Sequence, residues 1–244
     1  MTELEAAVLA AAGVRKRFGA LAVLDGVDLA LHAGVAVGIV GPNGAGKTTL
    51  LNVLAGSLAP DAGTLEFRGR DVTAKGAAER CRLGIARTHQ VPRPFTGMTV
   101  FENVLVAATA QGRRRGGEAY DLCLRVLDET ALTPLANRRA ESLGLLQRKR
   151  LELARALAAE PSVLLLDEIG GGLTDAESEA LVITISSLRD RGIAVLWIEH
   201  IVHVLLQVVG RLVCMDAGRI IAEGLPESVV SQAAVIDAYL GSGR

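Results

Sequence analysis

Residues Gly41-Pro42-Asn43-Gly44-Ala45-Gly46-Lys47-Thr48-Thr49 constrain this chain more than any other segment. An apolar run, Val35 to Val40, precedes them, and Lys47 to Leu54 reads as a helix. Strand, glycine-rich turn and helix in that order make a phosphate-binding loop. The glycines let successive backbone N–H groups converge on phosphate oxygens, and the helix N-terminus adds positive potential. Lys47 can reach the β- and γ-phosphates, and the Thr48 hydroxyl is placed for magnesium. The segment implies that a nucleoside triphosphate binds here.

The 244 residues suffice for one large domain or for a core with an inserted lobe. Half of them are apolar, yet charge or glycine interrupts every stretch before the length of about 18 residues that a spanning helix needs. The start, from Met1 to Arg15, carries Glu3 and Glu5 and lacks the basic-then-apolar order of a secretory signal, so a cytoplasmic location is expected. Cys81, Cys123 and Cys214 are odd in number and widely spaced, which suits reduced thiols rather than a disulfide framework or a zinc site. A formal charge of −1 offers no bulk attraction to nucleic acid. The basic run Arg113-Arg114-Arg115 reads as a solvated loop.

Periodicity suggests how the rest is organised. Residues 13–18 and 22–31 read as two antiparallel strands joined near Gly19. Residues 65–67 read as a strand, 69–71 as a turn and 83–88 as a further strand. From Thr99 to about Leu132 the pattern becomes helical: Thr99 and Glu102 can form a reciprocal cap, and Pro134 ends the run. Residues 91–150 are expected to form a helical subdomain inserted within one domain spanning the chain. Beyond it, 148–159 reads as helix and Val163 to Leu166 as a strand buried on both faces. A helix over 175–189, a strand over 193–198 and a short helix over 201–209 follow. A hairpin turns around Gly218, and helical segments cover 226–231 and 233–240. Strands alternating with helices around a phosphate loop predict an α/β fold: a P-loop NTPase core with a mainly parallel sheet, an N-terminal antiparallel β subdomain and an inserted helical lobe.

Asp167 and Glu168 end the apolar strand, and open α/β sheets bind ligands outside such strand ends. Asp167 is the natural partner for magnesium, directly or through water. Glu168 can polarise water beside a γ-phosphate. His200 follows the next strand along the same sheet edge, where it can contact the γ-phosphate or hold Glu168 and the attacking water in line. Gln90 carries an amide oxygen able to ligate magnesium and a chain connection to the helical segment. His89 and His203 read as packing residues.

Together these residues resemble the ATP-binding cassette transporter ATPases, most closely their branched-chain amino acid uptake subfamily, over nearly the whole chain. The resemblance makes Gly41–Thr49 the Walker A loop, with Gly41, Asn43, Gly44, Gly46, Lys47, Thr48 and Thr49 on the nucleotide. It makes Gln90 the Q-loop glutamine, 163–168 the Walker B strand and His200 the switch histidine. Phe18 matches the aromatic residue that stacks on adenine, and Thr174 stands where many cassettes have aspartate in the D-loop. Subfamily character comes from 87–90, 94–100 and 235–241. The family signature Leu-Ser-Gly-Gly-Gln aligns with Leu143-Gly144-Leu145-Leu146-Gln147, so Gly144 replaces the serine and Leu146 the second glycine. A two-residue shift would offer Ser142 instead, but it rotates a helix by about 200°, so the ungapped register is preferred. Ile169 replaces the common proline after the Walker B glutamate.

The resemblance implies an ATPase using ATP and magnesium at the cytoplasmic face of the inner or plasma membrane. Its partners would be integral-membrane permease subunits, a second cassette in a heterodimer or homodimer, and indirectly an extracytoplasmic solute-binding protein. The altered signature favours the heterodimer, in which one of two composite sites can remain intact. The alternatives are a lipopolysaccharide-export cassette and a regulatory nucleotide-binding module with weak hydrolysis. Glu168 and His200 argue against the second.

Overall fold

The computed structural model describes residues 7–110 and 114–241, with side chains as far as Tyr239. Glu3, Glu5 and Arg113 lie outside the described residues. The fold is α/β, with a P-loop core, an N-terminal antiparallel sheet and helices inserted between core strands. Strands β1 (Leu9–Phe18) and β2 (Leu21–Leu31) pair antiparallel around Gly19, as their alternation requires. β1 starts ahead of the expected residue 13, because the alanines before Gly13 also pair with β4 (Ala62–Phe67). Arg70–Asp71 forms a short strand, β5, paired with Phe67 and Glu66. The turn therefore sits at Arg68 and Gly69 rather than over 69–71.

The second sheet has six strands. Its centre is β3 (Ala36–Val40), flanked in parallel by β8 (Ala194–Ile198) and β9 (Arg211–Asp216). On the β8 side follow β7 (Val163–Asp167) and β6 (Ile85–Arg87), also parallel. β10 (Arg219–Gly224) closes the far edge antiparallel to β9, around Gly218 as the sequence implies. Side chains alternate across this sheet. Leu164, Leu166, Val195 and Trp197 join one buried cluster. Val163, Leu165, Val37 and Ile39 join another, which the antiparallel sheet and α1 (Lys47–Leu54) complete. Both faces are thus covered, which explains the unbroken apolar runs.

Between β6 and β7 lie α3 (Val100–Ala110), α4 (Gly117–Glu129) and α5 (Leu145–Leu157). The Thr99 cap is formed: its N–H donates to Glu102 Oε2 at 2.7 Å, and the Glu102 N–H donates to Thr99 Oγ1 at 3.1 Å. α4 stops at Glu129, and Pro134 lies in a separate 3₁₀ turn over Thr133–Leu135. α5 begins three residues before the expected 148, with Gly144 at its N-cap.

Two further expectations need correction. Leu83 belongs to α2 (Ala77–Leu83), which the periodicity missed and which Gly84 caps in a left-handed conformation. The apolar run 201–209 forms only one turn of helix, α7 (Val202–Leu205). α6 (Asp175–Asp190), α8 (Pro226–Val230) and α9 (Ala233–Gly241) lie where expected. Arg114 pairs with Glu160 at 3.1 Å, so this part of the basic run is neutralised on the surface. No helix among the described residues is long and apolar enough to cross a membrane.

Candidate active site

The chain leaves β3 at Val40 and turns into α1 through the glycine-rich loop, so the α1 N-terminus opens at the strand's C-terminal end. The turn depends on Gly46: its φ is +100°, and a β-carbon there would stand 2.6 Å from the Val23 carbonyl. A cavity of about 180 Å³ is lined by Val23, residues 43–49 and Glu168. Asn43, Gly44 and Thr48 are exposed, Thr49 is half-buried, and Gly41, Gly46 and Lys47 are buried. The Lys47 Nζ donates to the carbonyls of Gly41 at 2.6 Å and Pro42 at 2.9 Å. Burial pulls its pKa below the ordinary lysine value, against the attraction of Glu168 and Asp167.

β7 brings both acidic residues to the same sheet edge. Asp167 is 1% exposed, and its Oδ2 lies 3.5 Å from the Arg87 guanidinium. Burial nevertheless pushes its carboxyl above the ordinary aspartate range, with the Arg87 charge opposing. Its Oδ1 is buried and has no hydrogen-bond partner among the described residues. A lone acceptor of this kind suits a cation or one of the cation's waters. Among the described residues no group of three His, Cys, Asp or Glu could hold a metal. Magnesium takes one or two protein oxygens and draws the rest from phosphates and water.

Glu168 adopts φ +48°, a left-handed conformation that costs a non-glycine residue about 1–2 kcal/mol. Its N–H donates to the Ile198 carbonyl at 2.9 Å, which ties it to β8. One carboxylate oxygen lies 2.5 Å from His200 Nε2, and the other accepts from Gln90 Nε2. Glu168 and His200, expected beside a γ-phosphate, and Gln90, expected on magnesium, therefore meet at the cavity's edge. Gln90 reaches Glu168 through its amide nitrogen, an arrangement not foreseen. His89 is half-buried and lines a separate groove with Arg87 and Arg93.

Phe18 ends β1, is 52% exposed and carries the Lys16 ammonium 5.8 Å from its ring centroid. It is outside the residues lining the cavity. Gly144 is exposed at the start of α5, where its N–H donates to Gln147 Oε1 at 3.0 Å. The Ser142 hydroxyl donates to the Arg139 carbonyl at 2.8 Å, in a 3₁₀ turn ahead of the helix. The helix thus starts at Leu145, directly after Gly144. The Thr174 hydroxyl caps α6 by accepting from the Glu177 N–H.

Sequence reasoning missed four supporting residues. Arg87 bridges Asn52 Oδ1 and Asp167; its place just before Gln90 was the available signal. The Tyr239 hydroxyl accepts from the Gly41 N–H at 2.9 Å across 198 positions, for which no local pattern exists. Lys149 and Glu199, both buried, grip the segment after Glu168.

A family described as "ABC transporter" matches residues 24–170, and one described as "Branched-chain amino acid ATP-binding cassette transporter" matches residues 219–244. The high-affinity branched-chain amino acid transport ATP-binding protein BraF of Pseudomonas aeruginosa is 35% identical, over 96% of this chain and 98% of the relative. LivG of Escherichia coli K12, of the same description, is 35% identical over the same shares. Among solved structures, a nucleotide-free ATP-binding cassette from an ABC transporter has a TM-score of 0.89 at 32% identity, covering 96% of this chain and 98% of that one. The ADP conformation of an ATP-binding cassette of an ABC transporter also has a TM-score of 0.89, at 33% identity, over 96% and 99%. With a family match over more than half its length and relatives aligned from end to end, the chain belongs to the ABC transporter family, as an ATP-binding subunit of the branched-chain amino acid uptake subfamily.

Proposed function

We propose that this subunit hydrolyses ATP to power a membrane importer for branched-chain or related amino acids, from the cytoplasmic face of the membrane. The observation that carries the reading is the Glu168 carboxylate, held between Gln90 and His200 at the mouth of the phosphate-loop cavity. The amides of residues 43–49 and the Lys47 ammonium bind the phosphates, and Phe18 offers an exposed ring to adenine. Thr48, Gln90 and the free oxygen of Asp167, together with phosphate oxygens, would hold magnesium, which would supply neutralising charge for phosphoryl transfer. Glu168 accepts a proton from, or orients, the water that attacks in line. His200 holds Glu168 in place and adds a donor beside the γ-phosphate.

Permease subunits are the expected partners, with a solute-binding protein acting through them. A groove of about 380 Å³ between α2, β6, α3 and α5 supports this. Its floor of small alanines, rimmed by Arg82, Arg93 and Arg155, suits a helix with acidic ends. Residues 91–150 are proposed to move as a unit against that partner when nucleotide binds. A second cassette completes the hydrolytic unit. With Gly144 and Leu146 at the start of α5, a different cassette suits this chain better than a second copy of it.

Uptake of labelled leucine, isoleucine and valine by cells lacking the chain tests the reading. Loss of uptake, restored by the unaltered chain but not by Glu168→Gln, is expected. Unchanged uptake of all three amino acids overturns the import assignment.

A further inference from the structure

Two buried, oppositely charged side chains lie on either side of the segment that follows Glu168, and neither has a part in the chemistry above. Lys149, in the second turn of α5, is 5% exposed; its Nζ donates to the Gly171 carbonyl at 2.5 Å and lies 3.4 Å from that of Glu168. Glu199, just past β8, is 2% exposed; its carboxylate accepts from the Gly170 N–H at 2.9 Å and the His200 N–H at 3.1 Å. A β-carbon on Gly170 would stand 2.9 Å from Glu199 Oε2, so glycine there admits the carboxylate. Charges out of water are costly unless several hydrogen bonds compensate them. Burial pulls the Lys149 pKa down, and the nearby Glu199 and Glu168 charges pull it back up.

We propose that Lys149 and Glu199 are a positioning pair that fixes the left-handed backbone of Glu168 and aligns it with His200. Such a conformation persists only where its surroundings over-determine it. The Glu168 N–H is tied to β8, its carbonyl to Lys149, and the amide two residues on to Glu199. Glu199 also holds the backbone of His200, so one carboxylate sets both members of the 2.5 Å contact. Lys149 belongs to the helix that Gly144 opens, so displacement of α5 pulls directly on the glutamate's peptide group. The start of α5 thereby acts on hydrolysis without touching nucleotide on this subunit. This inference rests on the hydrolytic role of Glu168.

The test is magnesium-dependent ATP hydrolysis by the full chain, under conditions where the unaltered chain turns over. Lys149→Met, Lys149→Arg and Glu199→Gln are measured alone and combined with Glu168→Gln. Lys149→Met is expected to lower kcat about tenfold or more and leave KM for ATP within about twofold, since a small displacement of a reacting group is costly. Lys149→Arg restores much of the rate, because a guanidinium can donate to the same two carbonyls. Added to Glu168→Gln, Lys149→Met removes nothing further. Binding of a fluorescent ATP analogue verifies folding; if Lys149→Met does not fold, Glu199→Gln carries the same expectation. A folded variant with normal kcat, a loss confined to KM, or additive losses in the double variant overturns the proposal. Normal turnover by Glu168→Gln instead overturns the role of Glu168.

Discussion

His200 Nε2 lies 2.5 Å from Glu168 Oε1, and the two residues follow the C-terminal ends of adjacent parallel strands. Neighbouring strands in register deliver their C-terminal residues to the same edge, so the contact follows from sheet topology. Glu168→Gln keeps the shape of the side chain and removes the base. Turnover is expected to fall about 10²–10⁴-fold, the usual contribution of general base catalysis, with ATP affinity retained. Phosphate release and equilibrium binding of a fluorescent ATP analogue check the two halves separately.

Lys47→Ala is expected to act on affinity first. The side chain is buried within the loop and held by two carbonyls. Losing a charge-assisted hydrogen bond to phosphate costs about 1.5–3 kcal/mol, so ATP affinity falls about tenfold to a hundredfold. Titration calorimetry with Mg-ATP measures the change, and undiminished affinity would contradict the placement of phosphate in this loop.

Much of this framework is legible in the amino-acid order, for local reasons. Lys47 to Leu54 form a helix with the expected bounds because the glycine before and the leucines within act over a few residues. Thr99 and Glu102 satisfy each other across one turn. α2 was illegible because its seven residues have little apolar periodicity. It is anchored from afar instead, by Arg80 donating to the carbonyls of Val53 and Leu54. At the site, Asp167, Glu168, Gln90 and His200 stand at strand ends that topology brings together. Lys149 and Glu199 act through backbone groups, so their residue types carried no signal.

Asp167→Asn is expected to stabilise the fold while weakening magnesium-dependent binding. The native carboxyl titrates above the unfolded value of 3.8 because of burial. Between the two values the native state holds more protons, so stability falls as pH rises through that window, and the cost is complete above the native pKa. At neutral pH the asparagine variant, which carries no buried charge there, is expected to melt at a higher temperature. The gain shrinks as pH falls toward the unfolded value. Thermal melts across the acid range follow both signs.

Tyr239→Phe isolates the long-range support of the phosphate loop. It removes the hydroxyl that accepts from the Gly41 N–H. A buried, unpaired N–H costs about 1–3 kcal/mol. Part of that should appear as a several-fold weaker Kd for ATP, and part as a lower Tm. Unaltered values for both would show the hydroxyl to be dispensable.

That contact makes α9 a strut of the glycine-rich loop rather than an appendage. Unwinding α9 would take away the hydroxyl that accepts from the first glycine of the loop. Order at that helix and order at the nucleotide's doorstep are thus coupled through a single oxygen.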